Sequence, residues 1–214
     1  MVALAVSVVP TVLRSSPSCE RNGVAVASVL ADWLGGREQL LEVGSGTGQH
    51  AARCIGEHPA LRWYVSDHQP DAETIRGWAA RSTAADRIIG PAQLDVNEAP
   101  QWKAVAGFDV CFTANTLHIM PWSAGQAMFM NAARYAADDC LLVIYGPFHV
   151  HGEATSEGNA RFDAALRADA AHMGIRDIEA VRAEAANHGW LEQAHYHMPA
   201  NNQMLLFALN RGAH

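Results

Sequence analysis

The stretch "LLEVGSGTGQHAARCIGEHPALRWYVSDH" (residues 40–68) decides the fold. It joins an apolar run to a glycine-spaced turn, then a helix-like segment, then a second apolar run ending on Asp67. Apolar runs that do not alternate suit strands buried on both faces. "QLLEV" (39–43) and "LRWYVSD" (61–67) read this way, and "QHAARCIGEH" (49–58) between them looks helical and stops before Pro59. Strand, helix and strand at this spacing make a parallel crossover unit.

The same rhythm continues on the C-terminal side. "DAETIRGWAARS" (71–82) sets Ala72, Ile75, Trp78 and Ala79 on one helical face. "AQLDV" (92–96), "FDVCFTAN" (108–115) and "CLLVIYG" (140–146) are further strands, and "SAGQAMFMNAARYA" (123–136) is a helix with Ser123 as its expected N-cap. After Gly146 the rhythm changes. Residues 159–174 and 175–189 read as helices, and "WLEQAHYHM" (190–198) and "NQMLLFALN" (202–210) as strands around "PANN". Strands that close must form a hairpin or sit at an edge. The pattern predicts an α/β, doubly wound, mostly parallel sheet. With no repeat or linker, residues 1–214 are expected to form a single domain.

Composition narrows the function. Of 214 residues, 50% are apolar and 17% charged, which is globular and not disordered. The formal charge of -7 and the lack of a Lys/Arg run predict no nucleic-acid partner and no anionic membrane surface. Cys19, Cys54, Cys111 and Cys140 form no C-x-x-C pair, so a reducing cytoplasm is expected, with Cys111 and Cys140 in the core. The apolar start "MVALAVSVVPTVL" lacks the charged beginning of an export signal and is too short to span a bilayer. It is expected to pack on the domain or close over a site. Histidines pair at i, i+2 in His149/His151 and His195/His197, but no Cys cluster or H-E-x-x-H helix accompanies them, and no metal is expected.

The turn itself reads Glu42-Val43-Gly44-Ser45-Gly46-Thr47-Gly48. Such glycines permit positive φ and close approach of a ligand to bare backbone. Dinucleotides and S-adenosylmethionine both use turns of this kind. The dinucleotide fingerprint is G-x-G-x-x-G. Here the third glycine comes one residue early, which fits the class I methyltransferase turn better. The expected donor site comprises Glu42, Gly44, Ser45, Gly46, Thr47, Gly48 and His50, with Asp67 and His68 at the next strand end. Asp95 and Val96, then Asn115 and Thr116, complete it where later strands end.

Eight segments carry a family resemblance. They are "SPSCERN" (16–22), "SGTGQH" (45–50), "SDHQPDA" (66–72), "LHIMPWS" (117–123), "YGPF" (145–148), "GNARFDAALRA" (158–168), "GIRDIEAV" (174–181) and "MPANNQMLLF" (198–207). In that order they resemble the methyltransferase-like family whose human member is methyltransferase-like protein 26. The resemblance implies a Rossmann-like class I methyltransferase fold. Its sheet would have seven strands in the order 3-2-1-4-5-7-6, the last antiparallel, with helices on both faces. It implies S-adenosyl-L-methionine as cofactor, S-adenosyl-L-homocysteine as product, and Asp95 near the adenine amino group. Residues 1–36 would be an N-terminal lid and residues 147–189 a helical substrate-side insertion.

The acceptor is expected to be a small molecule with an O, S or N nucleophile. His118, then Tyr145 and His149, are the candidate bases, since a base is needed only for a protonated nucleophile. Arg21 and Asn22 are expected at the donor's amino-acid end. Glu20, Trp122, Phe148, Asn201 and Asn202 are expected against the acceptor. Two departures, Gly23 where the family usually has Lys and "DAAHM" (169–173), suggest an altered pocket or lid. A non-catalytic donor-binding scaffold is the alternative. An NAD(P)-dependent oxidoreductase is disfavoured by the glycine spacing and by the lack of a Tyr-x-x-x-Lys pair. A monomer or homodimer is expected.

Overall fold

The computed structural model describes residues 13–212. Most of the apolar start expected to pack on the domain or close over a site, residues 1–12, lies outside the described residues. Helix α1 (Pro17–Trp33) is capped by Ser16, whose Oγ accepts from the Cys19 N–H at 3.4 Å. Asn22 lies inside this helix and is buried.

The crossover units follow in order. They are β1 (Gln39–Val43), α2 (Gln49–Cys54), β2 (Arg62–Asp67), α3 (Ala72–Ala79), β3 (Ile88–Gln93), α4 (Ala99–Ala104), β4 (Val110–Ala114), α5 (Trp122–Tyr135) and β5 (Leu141–Val150). Then come β6 (Glu153–Ala154), α6 (Glu157–Asp169), β7 (Arg176–Asp177), α7 (Ile178–Asn187), β8 (Trp190–Met198) and β9 (Asn202–Leu209).

Several local expectations are corrected. Helix α5 starts at Trp122 with Pro121 as N-cap, so Ser123 falls inside its first turn. Strand β3 begins four residues earlier than "AQLDV" and ends at Gln93, leaving Asp95 two residues beyond it. Residues 175–189 are not one helix. Arg176 and Asp177 pair with β5, and the Asp177 carboxylate then caps α7 by accepting from the Glu179 N–H.

The sheet has nine strands and not the expected seven. Its order is β3-β2-β1-β4-β5-β9-β8, with β6 and β7 paired to β5 off this path, and so differs from the expected 3-2-1-4-5-7-6. The cause is the length of β5. It runs on to Val150, and its last residues, Phe148 to Val150, carry the two-residue strands β6 and β7. The first five strands are parallel, and β9 is antiparallel to both β5 and β8.

Side chains alternate between the two faces. Leu41, Cys111, Leu142, Ile144 and Phe207 pack in one layer with Met128 and Phe129 of α5 and Val181 of α7. Leu40, Trp63, Val65, Phe112 and Leu206 pack in the other with Val26 and Leu30 of α1 and Ile75 of α3. Cys140 and Cys111 are core residues, as read from the sequence. Helix α6 stands outside both layers and buries only Asn159. Among the described residues no helix is long and apolar enough to cross a membrane.

A carboxyl group lies within the second layer. Glu42, 1% exposed, accepts from the Trp63 indole N–H at 2.8 Å. Burial pushes its carboxyl up from 4.5 to about 7, and the Trp63 hydrogen bond opposes that shift. The folded state therefore prefers the protonated acid. Its stability contribution is full below about pH 4.5 and is lost as pH rises through about 7. Buried His50 and His118, both pushed down to about 4, act in the opposite direction as pH falls. Denaturant titrations of the wild type and Glu42→Gln across pH 4–9 separate these effects. The variant should gain on the wild type by up to about 3 kcal/mol between low and high pH. A constant difference would show that Glu42 does not titrate in this range.

Candidate active site

The turn after β1 is fastened to β2 by hydrogen bonds that require serine on both sides. The Ser45 N–H donates to the Ser66 carbonyl at 2.8 Å, and the Ser66 N–H donates to Ser45 Oγ at 3.1 Å. Ser66 Oγ donates to the Glu42 carbonyl at 2.6 Å. Gly44, Gly46 and Gly48 have φ of 74°, 54° and 77°, values that glycine alone adopts freely. At Gly44 a Cβ would also lie 2.7 Å from the Thr116 side chain. Only a bare backbone lets the ends of β1 and β4 approach this closely.

Above the turn lies a cavity of about 660 Å³ at the carboxyl ends of β1, β2, β3 and β4. This is where open α/β sheets hold ligands. Gly44, Ser45, Gly46, Thr47 and His50 form one wall. Asp67 and His68 form a second, Asp95 and Val96 a third, Asn115 and Thr116 a fourth. His118 completes the side facing α5. The structure thus brings together eleven of the fifteen expected donor-site residues, together with the first candidate base.

The other four lie elsewhere. Glu42 is turned into the core against Trp63. Gly48 caps α2 and packs against Ile75. Arg21 and Asn22 do not line the cavity, and neither does Glu20, which is exposed beside them on α1. Ser16, Ser18 and Cys19 at the start of α1 line it in their place. Sequence reasoning missed these three, although they belong to the quoted "SPSCERN". It also missed Ile119, Met120 and Pro121, which carry an apolar wall and belong to "LHIMPWS".

Charge sets what the cavity can hold. Among the described residues two carboxylates line it, and no Lys or Arg does. Asp67 Oδ2 accepts from the Gly46 N–H at 3.0 Å, and the Gly48 N–H donates to the Ser45 carbonyl at 2.9 Å. These turn amides are already committed and are not offered to a phosphate. The Asn97 backbone N–H holds the Asp95 carboxyl below its ordinary range, so Asp95 is a carboxylate at neutral pH.

The three candidate bases separate. His118 is 6% exposed, lies edge-on to Phe162 at 5.2 Å, and is pushed down to about 4 by burial and by Arg176. It is a neutral imidazole at pH 7. Tyr145 is buried on the opposite face, accepts from the Asn202 amide at 2.9 Å, and is pushed up to about 12 by burial. It lines no part of the cavity, and its phenol keeps its proton at neutral pH. His149 lies half-buried on β5, outside the cavity lining, with a buried Nε2 that finds no partner among the described residues.

A second histidine does line the cavity. Burial and Arg53 push His50 down to about 4, and burial pushes the Cys19 thiol up. The 3.2 Å contact between Cys19 Sγ and His50 Nε2 therefore joins a thiol to a neutral ring, whose buried Nδ1 finds no partner among the described residues.

The expected acceptor residues do not gather in this cavity. Phe148 is buried in the core. Trp122 packs against the same layer with Arg176 5.9 Å from its ring centre. Asn201 and Asn202 line a separate cleft near the β8–β9 turn. Neither Gly23 nor residues 169–173 touch the cavity, so the two departures do not reshape it. Among the described residues no three His, Cys, Asp or Glu side chains group to hold a metal.

Three solved structures illustrate what the chain is similar to. An O-methyltransferase family protein from Burkholderia thailandensis superposes with a TM-score of 0.77 at 14% identity, over 89% of this chain and 57% of that one. The mitomycin 7-O-methyltransferase MmcR gives 0.73 at 18%, over 88% and 54%. The S-adenosylmethionine-dependent methyltransferase SibL gives 0.71 at 18%, over 88% and 56%. The chain spans little more than half the length of these proteins, and at such identities the likeness shows a Rossmann-like methyltransferase fold. The model of the family described as Protein of unknown function (DUF938) matches residues 13–209. The chain belongs to the DUF938 family.

Proposed function

We propose that the protein transfers a methyl group from S-adenosyl-L-methionine to a small-molecule nucleophile and releases S-adenosyl-L-homocysteine. One observation carries this reading. Among the described residues the cavity presents Asp67 and Asp95 with no lysine or arginine, and the Gly46 N–H is already held by Asp67. That environment suits a cationic sulfonium and opposes a pyrophosphate. The fit extends to the ends of the donor. Asp67 is placed to accept from vicinal ribose hydroxyls, and Asp95 from an adenine amino group. On this reading Ser16, Ser18 and Gly44, which line the same cavity, face the amino-acid end.

When bound, the donor supplies an electrophilic methyl whose leaving group needs no acid. The chain's own residues then hold the acceptor in line and exclude water. Ile119, Met120 and Pro121 give the acceptor an apolar wall. His118 takes the acceptor's proton on its imidazole. Burial and Arg176 both disfavour the imidazolium, so the proton is held only in passing. The likeness to O-methyltransferases supports oxygen as the attacking atom, ahead of nitrogen and sulfur. We read residues 1–214 as one domain, with 147–189 on the acceptor side because Phe162 of α6 meets His118. The kinship with the family of methyltransferase-like protein 26 belongs to the same reading.

The low basicity of His118 favours one further possibility, a scaffold that binds the donor without turnover. Calorimetry comes first. S-adenosylmethionine and S-adenosylhomocysteine should bind at micromolar affinity and NAD should not, whereas NAD binding alone would overturn the proposal. Asp67→Ala should weaken donor binding by about ten- to a hundredfold, about 1.4–3 kcal/mol. It should leave the thermal midpoint of the free protein within a few degrees of the wild type. Once an acceptor is found, His118→Asn should lower kcat about a hundredfold or more and leave donor affinity unchanged. An unaltered kcat would remove His118 from catalysis.

A further inference from the structure

Along the same edge of the sheet lies a second cleft, of about 380 Å³, between α7 and the β8–β9 hairpin. It shares no residue with the first cavity. Gly146 pairs with Gln203, and Gln203 with His197, in a row that begins beside Asn115, the residue just past β4. At ordinary strand spacing Gln203 stands about 10 Å from β4.

The polar groups of this cleft have a fixed direction. Arg182 Nη2 lies 3.3 Å from His195 Nδ1. A guanidinium can only donate, so Nδ1 accepts and the ring hydrogen sits on Nε2. That Nε2–H donates to Gln203 Oε1 at 2.7 Å. Gln203 is only 3% exposed, and with its oxygen occupied it has its amide N–H groups left to offer. Among the described residues they meet no protein acceptor. Arg182 holds Glu192 through Nε at 2.6 Å and Nη2 at 2.9 Å, which leaves Nη1 as a further donor. Among the described residues no Asp or Glu lines the cleft, and Val150, Ile178 and Met198 form its apolar side.

We propose that this cleft binds a small monocarboxylate with a short aliphatic tail. The carboxylate accepts from Gln203 and Arg182, a pairing in which one donor is charged and the other is held rigid by His195. The tail lies on Val150, Ile178 and Met198. Neither the methyl donor nor the first cavity takes part, so the inference stands independently of the proposed activity.

The test is a titration of the full chain with sodium butyrate, followed in ¹H–¹⁵N spectra, with 1-butanol and butylammonium at matched ionic strength as controls. The Gln203 side-chain amide, identified by its disappearance in Gln203→Leu, should shift saturably with a millimolar Kd. Butanol and butylammonium should not move it comparably. Arg182→Met should weaken butyrate binding at least fivefold, and because Arg182 is partly exposed this second variant keeps the core intact. The absence of a saturable shift would overturn the proposal, as would equal shifts with all three probes or unchanged affinity in Arg182→Met.

Discussion

The cavity depends on the serine clamp between Ser45 and Ser66. Strand β1 is buried on both faces and must release the chain at its carboxyl end without leaving polar groups unpaired. Ser66 is fully buried and Ser45 nearly so, and between them they bind the Glu42 carbonyl and each other's backbone. A buried backbone group without a partner costs about 1–3 kcal/mol, so the clamp is what lets the turn stand above the sheet. Everything that follows inherits its position. The Asp67 carboxylate is one residue beyond Ser66, and Thr116 closes against the bare Gly44.

The second constraint is charge. In a pocket lined by two carboxylates, every positively charged side chain kept away raises the affinity for a cation. Arg53 and Arg176 act from behind the walls. Burial is the main cause that keeps His50 and His118 neutral, and Arg53 adds to it at the first and Arg176 at the second. Both rings therefore enter the cavity wall without adding positive charge to it. The one acid that would have added to the negative charge, Glu42, is turned into the core, where burial favours its protonated form.

The C-terminal third obeys a different rule. Strand β5 pairs with β9 from Leu141 to Pro147 and so carries the hairpin of β8 and β9, and beyond Pro147 its last residues support β6 and β7. Helix α6 contributes almost nothing to the core, yet Phe162 reaches His118, and the Gly174 N–H donates to the His118 carbonyl at 2.9 Å. Arg176 adds hydrogen bonds to the Leu117 and Met120 carbonyls, so this segment is bound to the rim of the cavity at several points.

Local pattern determined the alternating strands and helices, the glycine turn, and the acids and amides that end successive strands. These are short-range features. Unbroken apolar runs signal burial on both faces, and a parallel sheet necessarily delivers its strand ends to one edge. The tertiary structure decided which way side chains face. Glu42 and Asp67 are both acids at strand ends, yet one enters the core and the other the cavity, because the alternation of β1 turns Glu42 towards Trp63. Phe148, Trp122 and Tyr145 sit in motif-like segments, yet packing in the two core layers draws them away from the cavity. Ser16, Ser18 and Cys19 reach the cavity only because α1 packs across α2, a contact between distant segments that no periodicity reports. The two extra strands and the cleft at Gln203 arise in the same way, from pairings that exist only once β5 has been extended.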